Sequence, residues 1–297
     1  MTGWEVAVDI RADLGEGPVW DSTAGCLWFV DIHGRSVHRL DASAGTVARH
    51  DVARQIGAAI PRTDGGLVLA LDNGIHLYTW GESTTELVIP VGDGDPAVRM
   101  NDAKCDPRGR LWAGTMATDF RPGVSTLFRF GRRGAFAAVR GCALANGLGW
   151  SPDGTRMYFV DSRRRIVEAF DYDVETGEIS GRRTWLTVPE ADGWADGLTV
   201  DAEGGVWVAM YLNGAVHRYD PDGALSEVIR LPTRKVTSVC FGGTGLADLY
   251  VTSASSGLSA RELEAEPQAG FVFVVPGAGT GQPAVRFDPA TIRPPGH

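Results

Sequence analysis

Four residues with oxygen-bearing side chains, Glu16, Asn101, Asn146 and Asp196, sit in similar neighbourhoods: LGEGP, MNDA, LANGL and WADGL. Carboxylates and carboxamides set among glycines and apolar residues are costly to bury unless something answers their polarity. A divalent cation is the simplest partner. Oxygen donors with no His or Cys beside them suit a hard ion such as Ca2+, Mg2+ or Mn2+ better than a structural zinc. Taken singly, each residue is better explained as a turn residue, because Asp-Gly and Asn-Gly favour tight turns. The chemistry depends on whether the fold brings the four to one place.

The elements that must do this are strands. Along the chain an apolar or aromatic residue recurs just after an Asp/Gly turn, at Trp28, Val68, Trp112, Tyr158, Trp207 and Tyr250. Successive anchors lie roughly 40–49 residues apart, the spacing of four-stranded propeller blades. The stretch 194–220 shows the unit most plainly, three short strands joined by Gly/Asp/Asn turns. The expected fold class is all-β, a six-bladed β-propeller with four-stranded blades around a central channel. Residues 5–10 are expected to complete the last blade beside 270–275, making 1–297 a single domain. A β-sandwich, the competing architecture, has no need of six near-equal repeats. Sustained helical periodicity is missing; residues 258–266 are expected to form one or two turns.

In a propeller the innermost strand of each blade lines the channel, and its start faces one rim. Counting back about 11–13 residues from each anchor, one strand and one turn, lands on Glu16, Gly57, Asn101, Asn146, Asp196 and Ser238. The four oxygen-bearing residues therefore share one repeat phase, and six-fold arrangement points them at one spot.

Composition narrows the partners. The chain has 297 residues with a net charge of −9, which argues against nucleic acid, whose phosphates need a basic surface. No apolar run approaches a membrane span, and no signal-like segment opens the chain, so no membrane partner and a cytoplasmic location are expected. Cys26, Cys105, Cys142 and Cys240 lack CxxC spacing and are expected to be buried, reduced thiols. Nine tryptophans suit packing between blades. Monomer and dimer both stay open.

LGEGPVWD around Glu16, RMNDAKCDPRGRLWAGTM around Asn101, ANGLGWSPDGTRMYFVDS around Asn146 and DGLTVDAEGGVWVA around Asp196 are long motifs in fixed order. They resemble the SMP-30/gluconolactonase/luciferin-regenerating enzyme-like family, and the likeness spans nearly the whole chain. It implies a six-bladed propeller with one divalent metal (Ca2+, Zn2+, Mn2+ or Mg2+) on the channel axis. By that likeness Glu16, Asn146 and Asp196 match the metal ligands. Asn101 matches a residue beside the metal, Arg99 a substrate-contacting arginine, and Asp119 a substrate-binding acid. The implied reaction is opening of a sugar lactone, a small-molecule substrate, with Asp196 doubling as general base. Hydrolysis of other esters or organophosphates at the same site, and calcium binding without turnover, are the alternatives. Specificity falls to the loops 61–64, 93–99 and 119–125.

Other constellations fail on local chemistry. The glycine-rich 277–281 stretch precedes no helix, so it is no dinucleotide fingerprint. Asp171–Gly177 imitates a calcium loop with its glycine one position late and reads as a hairpin turn. There is no G-x-S-x-G elbow. The histidines, including His33, His38, His76 and His217, fall on outer strands or loops without clustering. The run Arg163-Arg164-Arg165 reads as a solvated rim or as a reach toward an anionic substrate.

Overall fold

The repeated Asp and Trp are a hydrogen-bonded pair. Asp201 Oδ1 accepts the N–H groups of Glu203 and Gly205, closing the turn, while Oδ2 accepts Trp207 Nε1 at 2.9 Å and Arg218 Nε at 2.8 Å. Asp106 does the same for Arg108, Arg110 and Trp112 one blade pair earlier. An aspartate six residues before a tryptophan thus fixes the first hairpin of a blade and seats its indole in the wall.

The computed structural model describes residues 3–91, 95 and 97–292. It is a six-bladed β-propeller of six four-stranded antiparallel sheets. The innermost strands, in chain order, are Gly15–Asp21, Ile56–Pro61, Val98–Cys105, Ala145–Trp150, Trp194–Val200 and Val236–Gly242. They pack side by side around the axis. The sixth blade is closed by the N-terminal strand Glu5–Val8, paired with Val272–Val275 as expected. A capping box at Ser259 and Glu262 starts the single α-helix among the described residues, Ala260–Ala265, within the expected helical stretch. Asp171 to Gly177 lies across the hairpin joining the last two strands of blade four.

Aromatic rings fill the spaces between blades. Trp112 and Trp150 meet between blades three and four, Trp207 and Phe241 between five and six, and Trp20 stacks on Tyr250 between one and six. All four cysteines are buried and free. His38, His76 and His217 are buried packing residues with Ser36, Thr85 and Tyr219 as partners. Among the described residues no helix is long and apolar enough to cross a membrane.

Each inner strand carries a β-bulge at the same place: after Glu16, Ile56, Met100, Ala145, Ala195 and Val236. A bulge re-aims the side chains it leaves unpaired. Glycine follows Glu16, Asn146 and Asp196 because the next blade presses on that position. A Cβ on Gly147 would lie 2.5 Å from Asp196 O, and one on Gly197 would lie 2.0 Å from Ser238 Oγ. Asp102 replaces this glycine in blade three.

The other channel mouth is closed by an irregular C-terminal segment. Gln282 Nε2 donates to Trp150 O and Val200 O, both at 3.1 Å. Phe287, fully buried, exchanges backbone hydrogen bonds with Pro61 and Thr63.

Candidate metal centre

The bulges deliver their side chains to one mouth of the channel. Glu16, Arg99, Asn101, Asn146 and Asp196 all line a pocket of about 450 Å3 there, against about 260 Å3 for the cavity at the strapped mouth. Two aspartates hold the entering chain. Asp31 accepts the N–H groups of Asp13 and Leu14, at 2.9 and 3.0 Å, just ahead of Glu16. Asp161 accepts those of Ala143 and Leu144, both at 3.0 Å, just ahead of Asn146. Rigid backbone placement of this kind is what a preorganised site needs.

A hydrogen-bonded chain crosses the pocket floor. Arg99 Nη1 donates to Asn101 Oδ1 at 2.9 Å, and Asn101 Nδ2 donates to Asn146 Oδ1 at 3.2 Å. Asn146 Nδ2 donates to Asp196 Oδ1 and to Ser162 Oγ. Glu16 accepts from Gly17 N–H at 2.9 Å.

The charges on this floor are crowded. Burial pushes the Glu16 carboxyl well above the usual range, and the nearby carboxylates of Asp196 and Asp102 push it further. Burial raises Asp196 as well, followed by the field of Asp102. Asp196 is enclosed by protein yet half-open to the pocket's own solvent, so its shift is the more strongly screened of the two. Burial lowers Arg99 to about 10, against the pull of Glu16 and Asp196. Tyr211 on the wall is raised to about 12 by burial and then by Asp196 and Glu16. Below the floor, Lys104 donates to Leu198 O at 2.8 Å and opposes Asp102.

These observations test the fit of a cation. Ionised together, Glu16, Asp102 and Asp196 would set three negative charges against Arg99 and Lys104, and burial raises all three carboxyls while Glu16 makes one hydrogen bond. A hard divalent ion answers this surplus. The donors are two carboxylates and a carboxamide; among the described residues no three His, Cys, Asp or Glu side chains cluster as a metal site. Asn146 turns its amide nitrogen toward Asp196 and would present Oδ1 there after rotation of the amide.

Asp119 is not brought in. Its carboxylate is exposed and pairs with Arg121 at 3.0 Å, while its neighbours Thr118 and Phe120 line the pocket. Residues 61–64 lie at the strapped end, where Pro61 and Thr63 bond Phe287. Part of the 93–99 loop lies outside the described residues. The sequence reading missed His33, Met116, Trp194 and Tyr211 in the pocket wall. It also missed Asp102, whose signal was available: a carboxylate at the position where the other oxygen-bearing blades carry glycine.

Fold and floor define a class: six-bladed propellers with an acidic, oxygen-lined pocket at one channel mouth. The chain belongs to the SMP-30/gluconolactonase/LRE-like family, whose profile matches residues 14–255. It is 37% identical over 279 residues to regucalcin of Danio rerio, covering 93% of this chain and 94% of that one. Among solved structures it is similar to a calcium-binding regucalcin from Agrobacterium tumefaciens. There the TM-score is 0.91 at 29% identity, over 96% of this chain and 98% of that one. A luciferin-regenerating enzyme gives a TM-score of 0.89 at 32% identity, over 96% and 100%.

Proposed function

We propose that the protein is a divalent-metal-dependent hydrolase that opens a sugar lactone to its acid. The observation that carries this reading is the convergence of Glu16, Asn146 and Asp196, with Arg99 and Asn101, on one pocket floor of surplus negative charge. The family, which includes gluconolactonases by its description, supports the reaction class. Glu16, Asn146 and Asp196 would hold the ion, one of Ca2+, Zn2+, Mn2+ or Mg2+. The bound ion supplies Lewis acidity toward the lactone carbonyl and toward water.

The chain's own groups do the rest. Asp196 accepts a proton from the attacking water at its carboxylate, which lies half-open to the pocket. Arg99, fixed by Met100 O and Asn101, orients the sugar hydroxyls. The rings of Trp194 and Tyr211 and the Met116 side chain narrow the mouth and limit competing water. The substrate is a small molecule, and the ring of blades makes one domain of the chain.

The test is pH-drop hydrolysis of a panel of aldonolactones, aryl esters and organophosphates by chelator-stripped protein with each ion added back. Lactone turnover restored by metal supports the reading. Turnover of esters alone would move the assignment to an esterase, and tight metal binding with no turnover would favour a calcium-binding propeller, the description carried by the Agrobacterium relative.

A further inference from the structure

The arginine run absorbed by no catalytic role follows directly on Ser162, which lines this pocket. Arg163 belongs to the short turn Ser162–Arg164, immediately after the serine that receives a hydrogen bond from Asn146. Its guanidinium carbon stands 5.0 Å from the centroid of Trp194 and 5.3 Å from that of Phe120, both rings of the pocket wall. Arg165 stands 5.8 Å from the same Trp194. Trp194 in turn stacks on Tyr211, and the Lys235 ammonium lies 5.9 Å over that ring.

These cations differ from their neighbours. Arg121 is bound to Asp95 and Asp119, Arg164 to Asp161, and Arg234 to Glu262 and Glu266. Arg163, Arg165 and Lys235 make no ion pair among the described residues. Arg165 and Lys235 donate to the carbonyls of Gly193 and Ser256, whereas Arg163 is exposed and holds only ring faces. Arg163 and Arg165 bring two guanidiniums to one indole, and a nearby anion offsets their mutual repulsion. A guanidinium packed over ring faces, with no hydrogen bond or ion pair of its own among the described residues, has N–H groups free to take a carboxylate or phosphate in two hydrogen bonds. This positive rim stands on a chain of net charge −9.

We propose that Arg163, supported by Arg165, anchors an anionic substituent of the substrate, so that the preferred lactone carries a carboxylate or phosphate remote from its ring carbonyl. The inference rests on the lactonase reading for the reaction and on the rim for the substrate class. Arg163 is a specificity-determining residue here. It touches the far end of the substrate, while the floor residues handle the ring.

The experiment compares kcat/KM for gluconolactone, glucarolactone and phosphogluconolactone in metal-loaded wild type, Arg163→Lys, Arg163→Gln and the Arg163→Gln/Arg165→Gln double variant. Wild type prefers an acidic lactone. The acidic-to-neutral ratio falls roughly 10- to 100-fold in Arg163→Gln, the size of one charge-assisted contact, and falls chiefly through KM. Arg163→Lys keeps part of it. Preference for glucarolactone identifies a carboxylate, and preference confined to phosphogluconolactone identifies a phosphate. A ratio unchanged in both glutamine variants overturns the proposal. Calorimetric binding of glucarate against gluconate separates this from failure of the lactonase reading. Tighter glucarate binding that vanishes in Arg163→Gln upholds the anion anchor even without turnover, and equal binding of both acids to wild type refutes it.

Discussion

Replacing Glu16 with Gln separates the cost of the buried charge from its use. The residue is 7% exposed, its carboxylate makes one hydrogen bond to Gly17 N–H, and the amide oxygen of Gln can keep that bond. An uncompensated buried carboxylate costs several kcal/mol, of which Arg99 offsets a part. Metal-free Glu16→Gln should therefore be more stable than metal-free wild type by about 2 kcal/mol. At roughly 2 °C per kcal/mol for a chain of this size, that is a rise of about 4 °C in Tm. The sign follows from the raised carboxyl. Its contribution to stability is present at low pH and is lost as pH rises through its elevated pKa, so the gain in the variant should grow from mildly acidic to neutral pH. With metal at 100 times Kd the wild type gains about 2.7 kcal/mol, roughly 5 °C, and the variant gains nothing. Differential scanning calorimetry in chelator and in excess Mn2+, at several pH values, reads all of this. A variant that melts below wild type without metal, or one that still rises with Mn2+, would refute the argument that this carboxylate is held unpaired for a cation.

Three further outcomes follow from particular contacts. Gly57→Ala places a Cβ 1.8 Å from Asn101 O; it should cost about 3 kcal/mol, the upper end for overpacking, seen in urea midpoints, and should lower kcat/KM by displacing Asn101. Phe287→Ala removes a fully buried ring that clips the C-terminal segment to blade two; it should cost about 3–5 kcal/mol while the metal-induced rise in Tm stays the same. His38, buried and lowered to about 4 chiefly by desolvation, is neutral in the fold. Its contribution is intact above the unfolded value of 6.5 and is lost as pH falls toward 4, so wild type should lose up to about 3 kcal/mol relative to His38→Gln over that range, measured by urea unfolding.

The sequence carried the propeller because its periodic signals are local. Asp106 and Trp112, or Asp201 and Trp207, bond to each other within one hairpin, so their spacing repeats wherever a blade begins. The phase of Glu16, Asn101, Asn146 and Asp196 followed from the same count, and the structure brings all four to one pocket. What the count could not supply was direction. The bulges turn Asn101 and Asp102 together out of the ladder, and a two-residue alternation has no term for that. The Trp194–Arg163–Phe120 contacts join residues from three blades, so no stretch of chain displays them. Asp119 shows the reverse case: it has a residue type suited to a sugar hydroxyl, but Arg121, two positions along, holds its carboxylate outside the pocket. The C-terminal strap is irregular, and its one strong signal, Phe287, is a lone aromatic among polar and small residues.

The most direct test of the account is anomalous diffraction from a crystal soaked in Mn2+. A single strong peak is expected within coordination distance of Glu16, Asn146 and Asp196, at the end of the channel away from Gln282. A peak elsewhere, or none at an Mn2+ concentration that supports turnover, would contradict it.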